Sequence, residues 1–551
     1  MSALAVICLF IDSRGATAQQ LDSDQENLER YQIHKLDVGP HDWPQFGGTS
    51  LRNNTPVGKN IPTDWDIKTG RNIKWSAKLG SQSYPAPVVA NGKVFIGTNN
   101  GAGYLKRYPT TVDLGCLLCF DEQTGEFLWQ HSNHKLKTGR VHDWPLQGIV
   151  SVPVVDGDRL WYVSNRGEVV CLDTEGFRDG ENDGIFQDEE VVADDEADVV
   201  WTFDMMKNLG VSQHNMCTCS CTIAGDVLFV VTGNGVDESH FTIPNPQAPS
   251  FLALNRHTAG VLWTDNSPGE NILHGTWSSP TYAVLGGTPQ VLFPGGDGWL
   301  YSFVPWGDGQ GTSKLLWRYD CNPKDTRAIV GGLGNRNEFI TIPVIYDEKI
   351  YVATGQDPEH GEGRGRLICI DPVKKVDGSD VSSELVFDAM GKLVPPRREG
   401  FDPNAGQVVV PNPNSATVWD VGAWPAPFAG GKPSFESIMH RAICSPAIKN
   451  DLLFITDFSG LLHCIDAQAS IQHWSFDLFA ASQSIGLLIV EDKVYVADED
   501  GDIAIFELNK QRKLINEINM GNSIYSTPIV ANDVLFIANK STLFAVSAEG
   551  K

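Results

Sequence analysis

Several stretches of the chain carry residue types at spacings that could do chemistry. The acidic run Asp179-Gly-Glu181-Asn-Asp183-Gly184-Ile-Phe186-Gln-Asp-Glu-Glu190 sets oxygen side chains at its first, third and fifth places, Gly at the sixth and Glu at the twelfth. That is the pattern of an EF-hand Ca²⁺ loop: the Gly permits a sharp turn, and the last Glu can grip the ion through both oxygens. Glu181 stands where Asp or Asn is usual, and no amphipathic helices flank the loop. The competing reading is an acidic solvated insertion running on through Asp194-Asp-Glu196. A bound Ca²⁺ would be structural.

Cys217-Thr-Cys219-Ser-Cys221 has the look of a metal or redox site. On a strand, however, residues two apart lie about 6.6 Å from each other, whereas thiolates around a tetrahedral ion with bonds of about 2.3 Å must come within about 4 Å. A small buried position is the better account of Cys221, and a disulfide to Cys116 or Cys321 stays open. His131-Ser-Asn-His134, His142-Asp-Trp-Pro145 and Glu359-His-Gly-Glu362 are polar loop clusters that could share one end of a channel, with plain solvated loops as the simpler account. Hydrolase and nucleotide signatures are missing: there is no Gly-x-Ser-x-Gly, no His-Glu-x-x-His and no Gly-x-x-x-x-Gly-Lys-Ser/Thr.

The elements that must position these residues come from a repeat. The unit Val94-Phe-Ile-Gly-Thr98 followed by Cys119-Phe-Asp-Glu-Gln-Thr-Gly-Glu-Phe-Leu-Trp129 returns as Ala253-Leu-Asn-Arg-His-Thr-Ala-Gly-Val-Leu-Trp263 and as Cys464-Ile-Asp-Ala-Gln-Ala-Ser-Ile-Gln-His-Trp474. Each time an acidic or amide residue stands eight places before the Trp. Alternating β-branched and aromatic residues make strands, and Thr124-Gly125 makes a turn, so the unit is a small antiparallel sheet. One such sheet cannot hide its faces, but radial stacking can, and the Trp is suited to wedge against the next sheet.

Second strands recur at Val94-Phe-Ile, Leu160-Trp-Tyr, Leu228-Phe-Val, Val291-Leu-Phe, Ile350-Tyr-Val, Leu453-Phe-Ile, Val494-Tyr-Val and Leu535-Phe-Ile, which predicts eight blades. The strand preceding each is often marked by a small residue and Pro, as in Ser279-Pro280 and Ser445-Pro446, and is placed innermost around the channel. Residues 69–75 read as an outer strand with no inner strands before it, and the C-terminus ends on three strands with no outer one. The expected fold is all-β: an eight-bladed β-propeller of four-stranded antiparallel blades, closed by pairing the N-terminal strand with the C-terminal three. The domain spans residues 69–551, after an irregular extension at 19–68, with an acidic insertion at 174–198 and a long one at 373–439. In the extension, the aromatics of His41-Asp-Trp-Pro-Gln-Phe-Gly-Gly48 are expected to pack on an end or side of the propeller.

Asp, Thr-Gly and Trp at these offsets resemble the pyrroloquinoline-quinone (PQQ) repeat superfamily, over nearly the whole span from Thr69 onward. Its quinoprotein alcohol dehydrogenases hold PQQ and Ca²⁺ in the channel, while a non-catalytic branch is typified by the BamB outer-membrane assembly factor. The resemblance makes Asn234, in Val231-Thr-Gly-Asn-Gly235, the residue that would inherit a Ca²⁺-ligand role; the plain alternative is a turn. Where those enzymes carry Trp-Asp-Tyr-Thr with a general-base Asp, this chain has Leu273-His-Gly-Thr276. His274 has an ordinary pKa suited to a base, but the carboxylate is gone. There is no Cys-Cys pair, and Cys116-Leu-Leu-Cys119 is followed by Phe120, so neither the vicinal disulfide nor a haem site is present.

With 42 basic against 68 acidic residues the net charge is −26, which repels phosphate backbones, so no nucleic-acid partner is expected. The apolar run at 3–11, then Ala16-Thr17-Ala18, fits a signal peptide over residues 1–18 and an exported, periplasmic or extracellular protein, although no Lys or Arg precedes the run. No other stretch would span a bilayer. Cys119, Cys171, Cys369 and Cys464 share one register, occupied elsewhere by Ala253, Ser302 and Ala545, and so should be small buried residues that do not bridge each other. The reading is of a non-catalytic binding or assembly scaffold with a protein or cell-envelope component as partner. The alternative is a PQQ- and Ca²⁺-dependent alcohol or sugar dehydrogenase with the cofactor near Asn234 and His274.

Overall fold

The computed structural model describes residues 35–329, 334–372, 376–398, 400–425 and 433–548; residues 1–18, expected from the sequence to be a signal peptide, lie outside them. Eight four-stranded antiparallel units form, and the last combines strand Ile73–Lys78 with Ile529–Ala531, Val534–Ala538 and Thr542–Val546. Ile73 lies opposite Val546 and Lys78 opposite Thr542, so the ring closes as the sequence predicts and leaves no open edge there. In blade four the strand Ser379–Asp380 adds a fifth, parallel to Leu315–Asp320. The stretch 373–439 also contains a hairpin, Glu384–Phe387 with Val408–Pro411, and the outer strand of blade five, Thr417–Val421.

The repeating Cys and Trp prove to be cross-strand partners. Cys119 faces Trp129, Cys171 faces Trp201, Cys369 faces Trp419 and Cys464 faces Trp474, while Ala253, Ser302 and Ala545 face Trp263, Trp317 and Trp75. A small side chain is needed because the indole folds across it. Blade seven shows the converse, with Ile505 at this position opposite Asn516. Most indoles also tie neighbouring blades: Trp129 Nε1 donates to Thr174 O at 3.0 Å, and Trp263 Nε1 to Pro305 O at 2.8 Å. All ten described cysteines are buried and free.

Residues 41–54 form a floor across one end of the channel and reach every blade. Trp43 exchanges both main-chain bonds with Val89, and the carbonyls of Pro44, Ser50, Leu51 and Asn54 accept from the N–H groups of Val155, Tyr282, Ile345 and Ile489. Asn53 bonds Ile448 through both ends of its amide, and His41 O accepts from Asn532 N. Blade three is held by Arg52, whose fully buried guanidinium donates to the carbonyls of Phe46, Ser220, Cys221 and Pro280. Burial lowers this group to about 10, so it stays charged at neutral pH. The short inner strands thus start at an open mouth and end on a sealed floor.

Candidate functional site

Above the floor the channel is a blind cavity of about 190 Å³ to which all eight blades contribute. Tyr84 and Tyr525, stacked with centroids 5.0 Å apart, form part of one wall, and Trp277 belongs to another. Gln147, Asn215 and Gln483 add polar groups, and among the described residues Asp357 is the one charged member of the lining, with no Lys or Arg.

Behind Trp277, at the junction of blades three to five, lies a histidine cluster. His214 and His274 sit on the segments leading into the inner strands of blades three and four. The loop Thr232-Gly-Asn-Gly235 holds the two segments together. Asn234 accepts from Ser212 N through Oδ1 at 3.0 Å and donates from Nδ2 to Asn245 O, and its carbonyl takes Thr276 Oγ1 at 2.9 Å. His214 N–H donates to Gly233 O, and Val236 N–H to His274 O. Gly235 cannot carry a side chain, since a Cβ would fall 2.6 Å from His274 O and 2.7 Å from the Cβ of His214. Farther along the same loop, His240 is held at φ 61, a left-handed conformation that non-Gly residues seldom adopt.

The three rings converge. His274 Nε2 and His214 Nε2 are 2.9 Å apart, and one ring nitrogen from each of His214, His240 and His274 lies within 4.8 Å of the other two. His214 Nδ1 donates to Val236 O at 2.7 Å, whereas the buried His274 Nδ1 has no hydrogen bond and lies 4.0 Å from Asp357 Oδ2. His360 stacks on His274 at 5.2 Å. Burial holds His214 down to about 4 and His274 to about 2, with neighbouring imidazoles adding to the latter, so both are neutral at pH 7. Burial raises Asp357 to about 6. Glu338, fully buried beside them, is pushed well above the carboxylate range by burial and then by Asp357; the main-chain N–H groups of Gly275 and His274 lie beside it outside hydrogen-bond geometry. His240, His274, His360 and Glu338 border a second, smaller cavity of about 50 Å³.

Of the residues singled out from sequence, Asn234 and His274 are brought together, but Asn234 is fully buried with both ends of its amide engaged. Asp179, Glu181, Asp183 and Glu190 are not gathered around one point: Asp183 pairs with Arg159 at 2.7 Å, and the exposed Glu190 faces Arg107 at 3.8 Å. In the cysteine triad, Cys217 donates to Val231 O and Cys219 accepts from Val231 N. Of the loop clusters, only His360 joins the site; His131 bonds Tyr162 OH at 2.5 Å and His142 bonds Ser212 Oγ at 3.2 Å.

His214 and His240 escaped the sequence reading, though a signal existed for the first. His274 stands six residues before Pro280 and His440 six before Pro446, while His214 stands seven before Cys221, so two blades place an imidazole at the same point of the mouth and a third places one a residue away. In blade six this imidazole is satisfied. His440 Nδ1 meets Asp457 Oδ2 at 2.9 Å, and His463 Nε2 meets the same oxygen at 3.0 Å, all three being buried.

Architecture and mouth together define an eight-bladed β-propeller with a blind channel and a histidine cluster beside it. The family model for outer membrane protein assembly factor BamB matches residues 113–181 and 404–514, so the repeats there are similar to PQQ-type repeats. Among solved structures, the europium-containing methanol dehydrogenase is similar with a TM-score of 0.55 at 12% identity, covering 92% of each chain. The quinohemoprotein alcohol dehydrogenase of Comamonas testosteroni gives 0.54 at 12% identity, covering 98% of this chain and 85% of that one. BamB of Moraxella catarrhalis gives 0.45 at 13% identity, covering 86% and 97%. At such identities the likeness is one of fold. No curated protein matches the chain.

Proposed function

We propose that this propeller is a non-catalytic binding or assembly protein of an exported compartment, with a protein or cell-envelope component as partner. The observation that carries this reading is the lining of the blind channel, where the described residues offer aromatic and neutral polar groups, one carboxylate and no cation. PQQ bears three carboxylates, and burying an ionised carboxylate without a partner costs several kcal/mol. The lining therefore does not fit that cofactor. Nor is Asn234 placed as a ready Ca²⁺ ligand, since its oxygen is engaged by Ser212 N. Among the described residues no helix is long and apolar enough to cross a membrane.

The second reading, a PQQ- and Ca²⁺-dependent dehydrogenase, is favoured by the nearness of Asn234 to His274 and by the overall likeness to two quinoprotein folds. Calorimetric titration with PQQ, with and without Ca²⁺, followed by dye reduction with alcohols and aldoses, separates the two. No stoichiometric binding and no turnover are expected; tight binding with turnover would establish the enzyme instead. Export is tested by the mature N-terminus, expected at Gln19; an unprocessed chain retained in the cytoplasm would contradict it.

A further inference from the structure

Three neutral or half-exposed imidazoles from separate loops meet beside a small cavity, and their hydrogen-bonding capacity does not close among themselves. His214 Nδ1 donates to the Val236 carbonyl, so its Nε2 carries a lone pair, and that lone pair faces His274 Nε2 at 2.9 Å. If His274 carries its proton on Nε2, the contact is a good hydrogen bond, but a bare lone pair on Nδ1 then confronts the Asp357 carboxylate at 4.0 Å inside the protein. If the proton is on Nδ1, it points towards Asp357, but two lone pairs then oppose each other at Nε2. A cation between the Nε2 atoms resolves the second arrangement completely.

We propose that His214, His240 and His274 form a site for one divalent transition-metal ion, zinc being the expected occupant, with the fourth coordination position open to the adjoining cavity. Imidazole nitrogens suit zinc, copper and nickel, and three histidines plus a water is a recurrent zinc geometry. Around a tetrahedral ion with bonds of about 2.0–2.1 Å, ligand nitrogens stand about 3.3–3.4 Å apart. The observed 2.9 Å between His214 and His274 and the 4.8 Å limit for the trio bracket this value, so closing the trio on an ion takes changes in nitrogen separation of at most about 1.4 Å.

One outer partner is in place and a second is near. Val236 O fixes the ring of His214, and Asp357 Oδ2, 4.0 Å from His274 Nδ1, needs to approach by about 1 Å to accept from it, the arrangement that orients metal-bound imidazoles. The cavity of about 50 Å³ has room for a coordinated water or a small ligand. Of the two arginines bordering it, Arg336 is paired with Asp320 at 2.8 Å, and Arg398 is held by Ile272 O at 2.9 Å. The strained φ of His240 fits a residue whose ring position matters more than its backbone ease.

The test uses the full chain, stripped with a chelator, dialysed and titrated with zinc chloride by calorimetry. One ion per chain is expected, with His240→Ala and His274→Leu each weakening binding at least about tenfold, and His257→Ala, at an exposed imidazole beside Asp226, leaving it unchanged. Because His274→Leu could disturb the buried mouth, circular dichroism checks its fold, and the half-exposed loop variant His240→Ala carries the decision should it unfold. Cobalt supplies a spectroscopic arm: tetrahedral d–d bands in the wild type, lost in His240→Ala. Absence of stoichiometric zinc binding, or equal affinity in wild type and His240→Ala, would overturn the proposal.

Discussion

His274 and His440 hold the same place in blades four and six, six residues before the Pro of the inner strand, yet their surroundings are opposite. In blade six the hairpin residue Asp457 reaches back to His440 and also takes His463, so a carboxylate closes the network. In blade four Gly295 stands where blade six has Asp457, as the matching hairpin bonds from Gly298 N–H to Gly295 O and from Gly460 N–H to Asp457 O show, and the nearby Asp297 is turned to Tyr301 OH at 2.6 Å. His274 is left with another imidazole and with a carboxylate out of hydrogen-bond reach. One repeat position has thus been filled once as structure and once as a site. The difference lies in whether a carboxylate of the same blade is free to answer the histidine.

The largest effect that tests this contrast is on stability. Asp457→Ala should destabilise the protein by about 3–5 kcal/mol, the cost of breaking a buried charged network, read as a fall in the urea midpoint; a loss below about 1 kcal/mol would erase the distinction. Next come two like substitutions of nearly equal volume. His440→Leu should cost about 3 kcal/mol because it leaves the Asp457 charge short of a partner. In metal-free protein, His274→Leu should change stability by only about 1 kcal/mol, since it removes nitrogens that lack a closed network. Equal losses would show that both histidines are structural.

A smaller effect follows from pH. Burial pushes Asp457 up, but hydrogen bonds from His440 and His463, with their charge, outweigh it and bring the group to about 2. Its folded pKa lies below the unfolded value of about 3.9, so its contribution is complete above about pH 4 and is lost as pH falls towards 2. The stability gap between wild type and Asp457→Asn should therefore narrow over that window; a gap that stays constant would contradict the network. The smallest effect belongs to the acidic insertion. Glu190→Ala should shift stability by about 0.5 kcal/mol or less, because Arg107 keeps Glu196 at 2.6 Å. A clear loss would give this loop a structural weight that its surface ion pairs do not imply.

Fold and site were unequally legible in the sequence. Strands, blade number and ring closure could be read because Trp75, Trp129, Trp263 and their partners repeat at fixed offsets, and local periodicity fixes local structure. The small residue opposite each Trp was visible as a register, though its reason, an indole lying across it, needed the cross-strand pairing. That the aromatics of 41–48 pack on an end or side was legible, but not that residues 41–54 seal the channel: many of the bonds run from main-chain amides to main-chain carbonyls, which leave little side-chain signature, and those of Arg52 and Asn53 go to main-chain groups of distant strands. His240 was hidden for another reason. It lies on a long irregular loop, and only the folding of that loop over blades three and four brings it to His214 and His274.

The most direct measurement is a long-range ¹H–¹⁵N spectrum of the histidine ring nitrogens in metal-free protein, repeated with one equivalent of zinc. The ring signals of His214, His240 and His274 should move together, while those of His440 and His463 stay fixed. An unchanged trio, or movement at His440 and His463 instead, would contradict the assignment of blades three and four as the site and of blade six as structure.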